Sequence, residues 1–289
     1  MSTDDPARIP PDPSGPSDLS APPGPPDQPG RLTPSAPPAA AAPTSASARP
    51  RRRVLAWDPG FDTLIAAVTL LGFWASYWAG TAVNPAFLYG GILIFGTVIP
   101  AWTVLRYRRE GWAGLGIRRR FLVVSLLISA VLGAGSAYQV VALAAETGTP
   151  VLPHLLANLL VLWEPLFVFG WLYLRWERAF GWLPAILLTG LGFALQHVGA
   201  VPLEAALGFG AFAVAFAIVF ACVRNLLVLW PLFYPVASGI GPLQAGFAMG
   251  WPDVVSGSML LVVQVLILLG LSWRTRPRAV THPPAPPRP

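Results

Sequence analysis

The feature that most constrains the fold of this chain is a series of apolar stretches, each long enough to cross a lipid bilayer. A hydrocarbon core about 30 Å thick requires roughly 20 residues of α-helix at a rise of about 1.5 Å per residue. Inside the bilayer no water satisfies the backbone, so each crossing must be helical. The sequence therefore predicts an all-α polytopic membrane bundle of about eight transmembrane helices, near 62–83, 86–105, 121–145, 154–174, 183–200, 205–223, 226–247 and 254–273.

Composition points to the same class of protein. Hydrophobic residues make up 54% of the chain and charged residues 11%, whereas a typical soluble domain has about 25% charged residues. All 19 basic residues are arginine, which, with the abundance of Ala, Gly and Pro, is typical of a GC-rich bacterial genome. The net charge of +6 does not indicate a nucleic-acid partner, because the arginines lie beside the apolar stretches. We expect a multi-pass protein of the bacterial cytoplasmic membrane, surrounded by lipid.

Arginine is divided unevenly between alternate loops. One set of loops carries arginine, at 51–53, 106–120, 175–178, 224 and 274–278. The other set carries none and holds Glu146, Glu204 and Asp253 instead. Because positive residues mark the cytoplasmic face, both termini are predicted to be cytoplasmic. An odd number of helices would break this segregation.

The two ends of the chain differ in composition from its middle. Residues 1–53 are rich in Pro, Ala, Ser and Gly and nearly without aliphatic residues, which predicts a disordered cytoplasmic tail. Residues 274–289 are predicted to form a second, basic disordered tail. The transmembrane domain is therefore expected to span residues 54–273, with the first apolar stretch acting as the anchor.

Two ionisable side chains lie deep within the apolar stretches. Glu164 lies in the fourth stretch and His197 in the fifth, and a short basic loop makes these stretches antiparallel neighbours. An acidic residue at the centre of a membrane helix costs roughly 2.5 to 3.5 kcal/mol, so it is a candidate functional residue. The pair could hold a water, with Glu164 as the general base and His197 orienting the water or donating a proton. The alternative is a structural hydrogen bond that locks the hairpin.

The sequence offers little for a metal or a disulfide. A zinc site needs three or four protein ligands, and Glu164 and His197 supply two. His154 lies near the outer end of the fourth stretch, where we expect it at the membrane interface, and His282 lies in the C-terminal tail. The one cysteine, Cys222, excludes an internal disulfide. No cofactor is expected, and zinc is the disfavoured exception.

Two short motifs stand in a fixed order within this hairpin. Glu164 is followed by Gly170, and Phe193 is followed four residues later by His197. They resemble Glu-Glu-x-x-x-Arg-Gly and Phe-x-x-x-His of the CAAX protease and bacteriocin-processing (CPBP, or Abi) intramembrane proteases. The resemblance covers residues 112–240. It implies an intramembrane endopeptidase that cuts a membrane-associated protein, with Glu164 and His197 activating water.

The chain departs from that family at two motifs. Pro165 stands at the second Glu of the first motif and Phe169 at its Arg. The third motif of the family is His-x-x-x-Asn, which is thought to hold the oxyanion, and the matching positions between 235 and 240 carry neither residue type. Since one oxyanion donor contributes about 2.7 to 4 kcal/mol, losing both could silence the enzyme.

Replacement donors would have to come from the seventh stretch, which prolines and glycines should kink or break at membrane depth. The candidates are the hydroxyls of Tyr234 and Ser238 and the backbone N–H groups near Gly239 to Gly241. The predicted site therefore has Glu164 and His197 as catalytic residues, with Phe193, Tyr234 and Ser238 in supporting positions.

Three classes of function remain open at this point. The first is an active or slow intramembrane endopeptidase. The second is a pseudoprotease that keeps the cavity and binds a membrane partner. A transporter is disfavoured, because transporters usually have broken helices in both halves of a repeat and only one is predicted here. The sequence leaves the substrate, the partner and the oligomeric state open.

Overall fold

The computed structural model describes residues 52–273, and this range contains helices and loops but no strand. The tails predicted to be disordered, residues 1–53 and 274–289, lie outside the described residues apart from Arg52 and Arg53. Arg52, two residues before the predicted domain start at residue 54, makes side-chain contacts with the helical domain.

Nine helices of the described range position the site. They are α1 (Phe61–Ala82), α2 (Ala86–Tyr107), α3 (Leu122–Thr147), α4 (Val151–Phe180), α5 (Trp182–His197), α6 (Leu203–Val223), α7 (Phe233–Ser238), α8 (Ile240–Gln244) and α9 (Trp251–Trp273). Six of them, namely α1, α2, α3, α4, α6 and α9, are long and apolar enough to cross a membrane. The prediction of an all-helical multi-pass membrane protein is confirmed in this form. Helix α5 is apolar but shorter.

The seventh predicted stretch is broken, as its prolines indicate. After α6 the chain forms a 3-10 turn (Leu226–Val228) and then the two short helices α7 and α8. Pro231 and Pro235 lie in this segment, and a proline has no N–H to donate to a preceding carbonyl. The segment is therefore two short helices and a turn, where the sequence alone delimits one span.

Helix α4 is interrupted shortly before Glu164. Its first part (Val151–Leu159) ends in a turn at 160–162, and the helix restarts as Trp163–Pro165, continues as a wide π-helix (Leu166–Tyr173) and ends as Leu174–Phe180. Pro165 fits this arrangement, because a proline in the first turn of a helix forgoes an N–H that has no intrahelical partner. The interruption places Glu164 at the positive end of the restarted helix.

A tight turn at Gly181 makes α4 and α5 an antiparallel hairpin. Gly181 has a φ of 90°, and a Cβ there would lie 2.5 Å from the carbonyl oxygen of Val54. The segment before α1 is held against this turn, because the Ala56 N–H donates to the Phe180 carbonyl at 2.8 Å. Glycine is therefore required at the point where α4 turns into α5.

Ion pairs around the buried side chain of Arg175 tie together one end of the bundle. The Arg175 side chain is fully buried and donates to both carboxylate oxygens of Glu110, at 3.1 and 2.8 Å. Arg178 also donates to Glu110, at 2.9 Å, and Asp62 accepts from Arg108 at 2.7 Å and from Arg175 at 3.4 Å. These contacts connect the start of α1, the end of α2 and the end of α4.

A second ion cluster lies on the same helix end. Glu177 pairs with Arg52 and with Arg224, and Arg52 also donates to the Ala221 carbonyl at 2.7 Å. Because Arg175 and Glu177 both belong to the last turns of α4, the two clusters occupy one end of the bundle. We call this end the arginine end. It brings together arginines that the sequence assigns to one side of the membrane.

We expect acid to weaken the fold through Glu110. Burial alone would raise the pKa of Glu110, but hydrogen bonds and charge from Arg178 and Arg175 outweigh it and lower the pKa from 4.5 to about 2. A lowered folded-state pKa stabilises the fold above pH 4.5, and this contribution is lost as the pH falls from about 4.5 towards 2. For a half-buried group we expect about 1 kcal/mol after solvent screening.

Thermal unfolding in detergent between pH 7 and pH 2 measures this contribution. Over that interval the unfolding temperature of wild type should fall about 2 to 4 °C further than that of Glu110→Gln. Glu146→Gln, at an exposed position in α3, serves as the matched control and should follow wild type. Identical pH profiles for wild type and Glu110→Gln would contradict the assignment.

Candidate functional site

Glu164 is buried at the restart of α4, and both of its carboxylate oxygens accept hydrogen bonds. The Tyr234 hydroxyl, from α7, donates to Oε2 at 2.6 Å. The Gln196 side-chain amide, from α5, donates to Oε1 at 2.8 Å. Two neighbours therefore hold the carboxylate. The side chain of Glu164 still keeps 12% of its surface accessible and reaches the adjoining cavity.

His197 is the last residue of α5, and its ring faces the same carboxylate. Nε2 of His197 lies 3.9 Å from Oε1 of Glu164, too far for a direct hydrogen bond. Nδ1 lies 2.8 Å from the Phe193 carbonyl oxygen. A proton on Nδ1 donates to that carbonyl and leaves Nε2 as an acceptor facing Glu164. A water between the two side chains could then donate one proton to each of them.

Aromatic rings hold the imidazole of His197 in place. The ring centroids of Phe193, Phe209 and Tyr77 lie 4.9, 4.9 and 5.1 Å from the His197 centroid. Such contacts restrict ring rotation, so Nε2 keeps its direction towards the carboxylate. Phe193 thus contributes both a carbonyl acceptor and a packing surface for the imidazole.

The dyad opens into a cavity of about 340 Å³. The five predicted site residues all line it, namely Glu164, His197, Phe193, Tyr234 and Ser238. The structure therefore brings together residues from α4, α5 and α7 that the sequence places far apart. The volume is within the usual range for small-ligand sites, about 300 to 1,000 Å³.

The two hydroxyls predicted to replace the missing oxyanion donors already have acceptors. The Tyr234 hydroxyl donates to Glu164, and the Ser238 hydroxyl donates to the Pro235 carbonyl at 3.2 Å. The Gly239 N–H also donates to that carbonyl, at 3.3 Å. Each would have to give up its present hydrogen bond before it could hold an oxyanion.

Two residues of this site were missed by sequence reasoning. Gln196 binds the Glu164 carboxylate directly, and Tyr77, from α1, lines the cavity beside His197. No side chain or backbone group among residues 52–273 forms a hydrogen bond with the Tyr77 hydroxyl. Two signals were available in the sequence. One is a polar amide next to His197 within an apolar stretch, and the other is a tyrosine five residues from the end of α1.

His154 is buried inside the protein, which corrects the expectation of an interfacial position. Its side chain is fully buried, with Nε2 at 2.9 Å from the Gly239 carbonyl oxygen. The Met249 N–H donates to Nδ1 at 3.3 Å. The sequence placed His154 near the helix end, but the loop before α9 folds over that end. His154 therefore fastens this loop to the segment between α7 and α8.

The described residues do not supply a complete zinc site. Within residues 52–273, no group of three or more His, Cys, Asp or Glu side chains comes together in a way that could hold a metal ion. A metal between Glu164 and His197 would have two protein ligands, fewer than a protein zinc site uses.

Comparison with protein-family models, with curated proteins and with solved structures finds no match for this chain.

Proposed function

We propose that this chain is an intramembrane endopeptidase of the CPBP type, which hydrolyses a peptide bond in a membrane-associated protein. The observation that carries the proposal is the 3.9 Å separation between Nε2 of His197 and Oε1 of Glu164, with both side chains lining one cavity. This spacing suits a water that donates to both groups. The alternation of arginine-bearing and arginine-free loops supports an eight-span topology with cytoplasmic termini in the bacterial cytoplasmic membrane. In this topology α5 and the broken segment of α7 and α8 are counted beside the six long helices.

The reaction uses this water as the nucleophile. Glu164 takes a proton from the water as its oxygen adds to the carbonyl carbon of the peptide bond, and His197 orients the water through Nε2. The carbonyl oxygen becomes the oxyanion. When the C–N bond breaks, Glu164 returns the proton to the leaving nitrogen. The products are a carboxylic acid and an amine.

The Tyr77 hydroxyl takes the role of oxyanion donor in this proposal. It lines the cavity next to His197, and its proton has no acceptor among the described residues. An uncommitted donor can meet an oxyanion without first breaking another hydrogen bond. The hydroxyls of Tyr234 and Ser238 would each have to break their present hydrogen bond first.

Tyr77→Phe tests this assignment. With one oxyanion donor removed, kcat should fall about 10²- to 10³-fold with little change in KM. The assay is cleavage of a fluorogenic, membrane-anchored peptide by the protein in lipid vesicles. Stability should stay close to wild type, because the hydroxyl has no protein partner to lose. Tyr89→Phe, at a position 41% exposed on α2, is the control and should keep full activity. An unchanged kcat for Tyr77→Phe would refute the role.

A catalytically inactive membrane-binding protein is the second candidate, and one observation favours it. Both oxygens of Glu164 already accept hydrogen bonds, which makes the carboxylate a link between α4, α5 and α7. A pseudoprotease of this kind would keep the cavity for a membrane partner, and Glu164 would serve the fold. Absence of cleavage in the vesicle assay, with a stable protein, would favour this candidate.

A further inference from the structure

We infer that the cavity receives its peptide from the end of the bundle opposite the arginine end, through a mouth bordered by Phe212 and Phe247. This inference rests on the proposed function for the nature of the ligand. The direction of access follows from the positions of the lining residues and from the packing beneath Glu164.

The outermost residues of the cavity lie far from the arginine end. Helix α1 begins beside Asp62 at that end, and Thr81, which lines the cavity, lies roughly 28 Å further along the helix. Helix α6 ends beside Arg224, and the lining residues Phe209 and Phe212 lie in its other half. The cavity thus opens at the arginine-free end.

The path from the cavity towards the arginine end is closed by packed side chains. Below Glu164, the rings of Phe167, Phe169 and Tyr173 are fully buried. Phe169 packs against Tyr234 with a centroid distance of 5.9 Å, and Tyr173 packs against Phe220 at 5.3 Å. Protein interiors packed in this way leave no passage for a peptide.

The mouth of the cavity carries two exposed aromatic side chains. Phe212 on α6 is 41% exposed and Phe247, in the loop before α9, is 59% exposed, and both also line the cavity. A side chain that lines a cavity and remains exposed marks the border between the two. The mouth is therefore apolar, which suits a segment that arrives from the membrane or its surface.

The chemistry of the lining favours a peptide over a lipid headgroup. No arginine or lysine lines the cavity within the described residues, so a phosphate would find no counter-charge. Its floor instead offers a carboxylate, an imidazole and the Tyr77 hydroxyl, which match the donors and acceptors of a peptide bond. The ligand class that fits is an apolar peptide segment at the arginine-free face, the extracytoplasmic one in the proposed topology.

Thiol labelling determines the side from which the cavity is reached. In a Cys222→Ala background, Ser238→Cys and Val161→Cys each put a thiol in the cavity lining. Thr149→Cys marks the arginine-free end, and Arg119→Cys marks the arginine-bearing loop. A membrane-impermeant maleimide is added to sealed vesicles of both orientations. Both cavity thiols should be labelled at least tenfold faster in the orientation that exposes Thr149→Cys.

Three outcomes would overturn the inference. Cavity thiols that follow Arg119→Cys would place the opening at the arginine end. Thiols that react in neither orientation but do react after denaturation would show a closed cavity. The labelling is also repeated with added ligands. A capped peptide of alanine, leucine and phenylalanine should slow labelling of the cavity thiols at least threefold, and added phosphatidylglycerol should not. Protection by the lipid instead would identify a lipid site.

None of these measurements depends on hydrolysis. Labelling of Ser238→Cys should be the same with and without Glu164→Gln. Failure of the access inference is therefore distinguishable from failure of the proposed function.

Discussion

Glu164→Gln should lower kcat for the membrane-anchored peptide about 10²- to 10⁴-fold, the usual contribution of a general base. The variant cannot take a proton from water, since an amide is not a base at neutral pH. KM should change little, because the side chain keeps its size and the cavity its shape. A fall in kcat and in kcat/KM together is the signature of an interaction made in the transition state.

The fold should tolerate this change. The amide oxygen of a glutamine at 164 can accept from Gln196, and its NH₂ can donate to the Tyr234 oxygen, which replaces both present hydrogen bonds. Glu146→Gln is the matched control at an exposed position and should keep wild-type kcat. Equal cleavage by wild type and Glu164→Gln would rule out the proposed mechanism.

Glu164→Ala should instead destabilise the protein, by about 1 to 3 kcal/mol for each donor left without an acceptor. Two donors are affected, the Tyr234 hydroxyl and the Gln196 amide. The second variant, Tyr234→Phe, removes one donor to a buried carboxylate and should cost about 1.5 to 3 kcal/mol. Thermal unfolding and denaturant unfolding in detergent measure both changes.

A double-mutant cycle shows which neighbour carries the link. Combining Glu164→Ala with Tyr234→Phe should cost less than the sum of the single changes, by about 0.5 to 3 kcal/mol. Combining Glu164→Ala with His197→Ala should show a smaller coupling than the Tyr234 pair, because His197 contacts the carboxylate at 3.9 Å without a direct hydrogen bond. A larger coupling for His197 than for Tyr234 would make the dyad the structural lock that the sequence also allowed.

The juxtaposition of Glu164 and His197 was predictable from the sequence. Both residues lie almost the same number of residues from Gly181, one before the turn and one after it. An antiparallel helical hairpin therefore brings them to the same height, since each helix rises by a fixed amount per residue. The depth of Glu164 counted from Arg175 and the depth of His197 counted from Trp182 differ by about 6 Å, because neither of those reference residues is the turn itself.

The other members of the site were not predictable in their roles. The Tyr234 hydroxyl was one of several candidate oxyanion donors, and in the structure it donates to Glu164. Tyr77 comes from α1 and Gln196 carries no motif signal, yet both lie beside the dyad. Their positions depend on how α1, α5 and α7 pack against α4. Hydrophobic periodicity does not encode such contacts between distant segments.

What the sequence determined by itself was local. The apolar stretches specify membrane helices, because backbone groups in a bilayer must bond within their own segment, and prolines specify where the seventh stretch breaks. Only the tertiary structure decided that His154 is buried, that Tyr234 holds Glu164, and that residues of α1, α4, α5 and α7 line one cavity. These features arise from side-chain packing between helices, which fixes geometry at a scale that residue type and spacing do not specify.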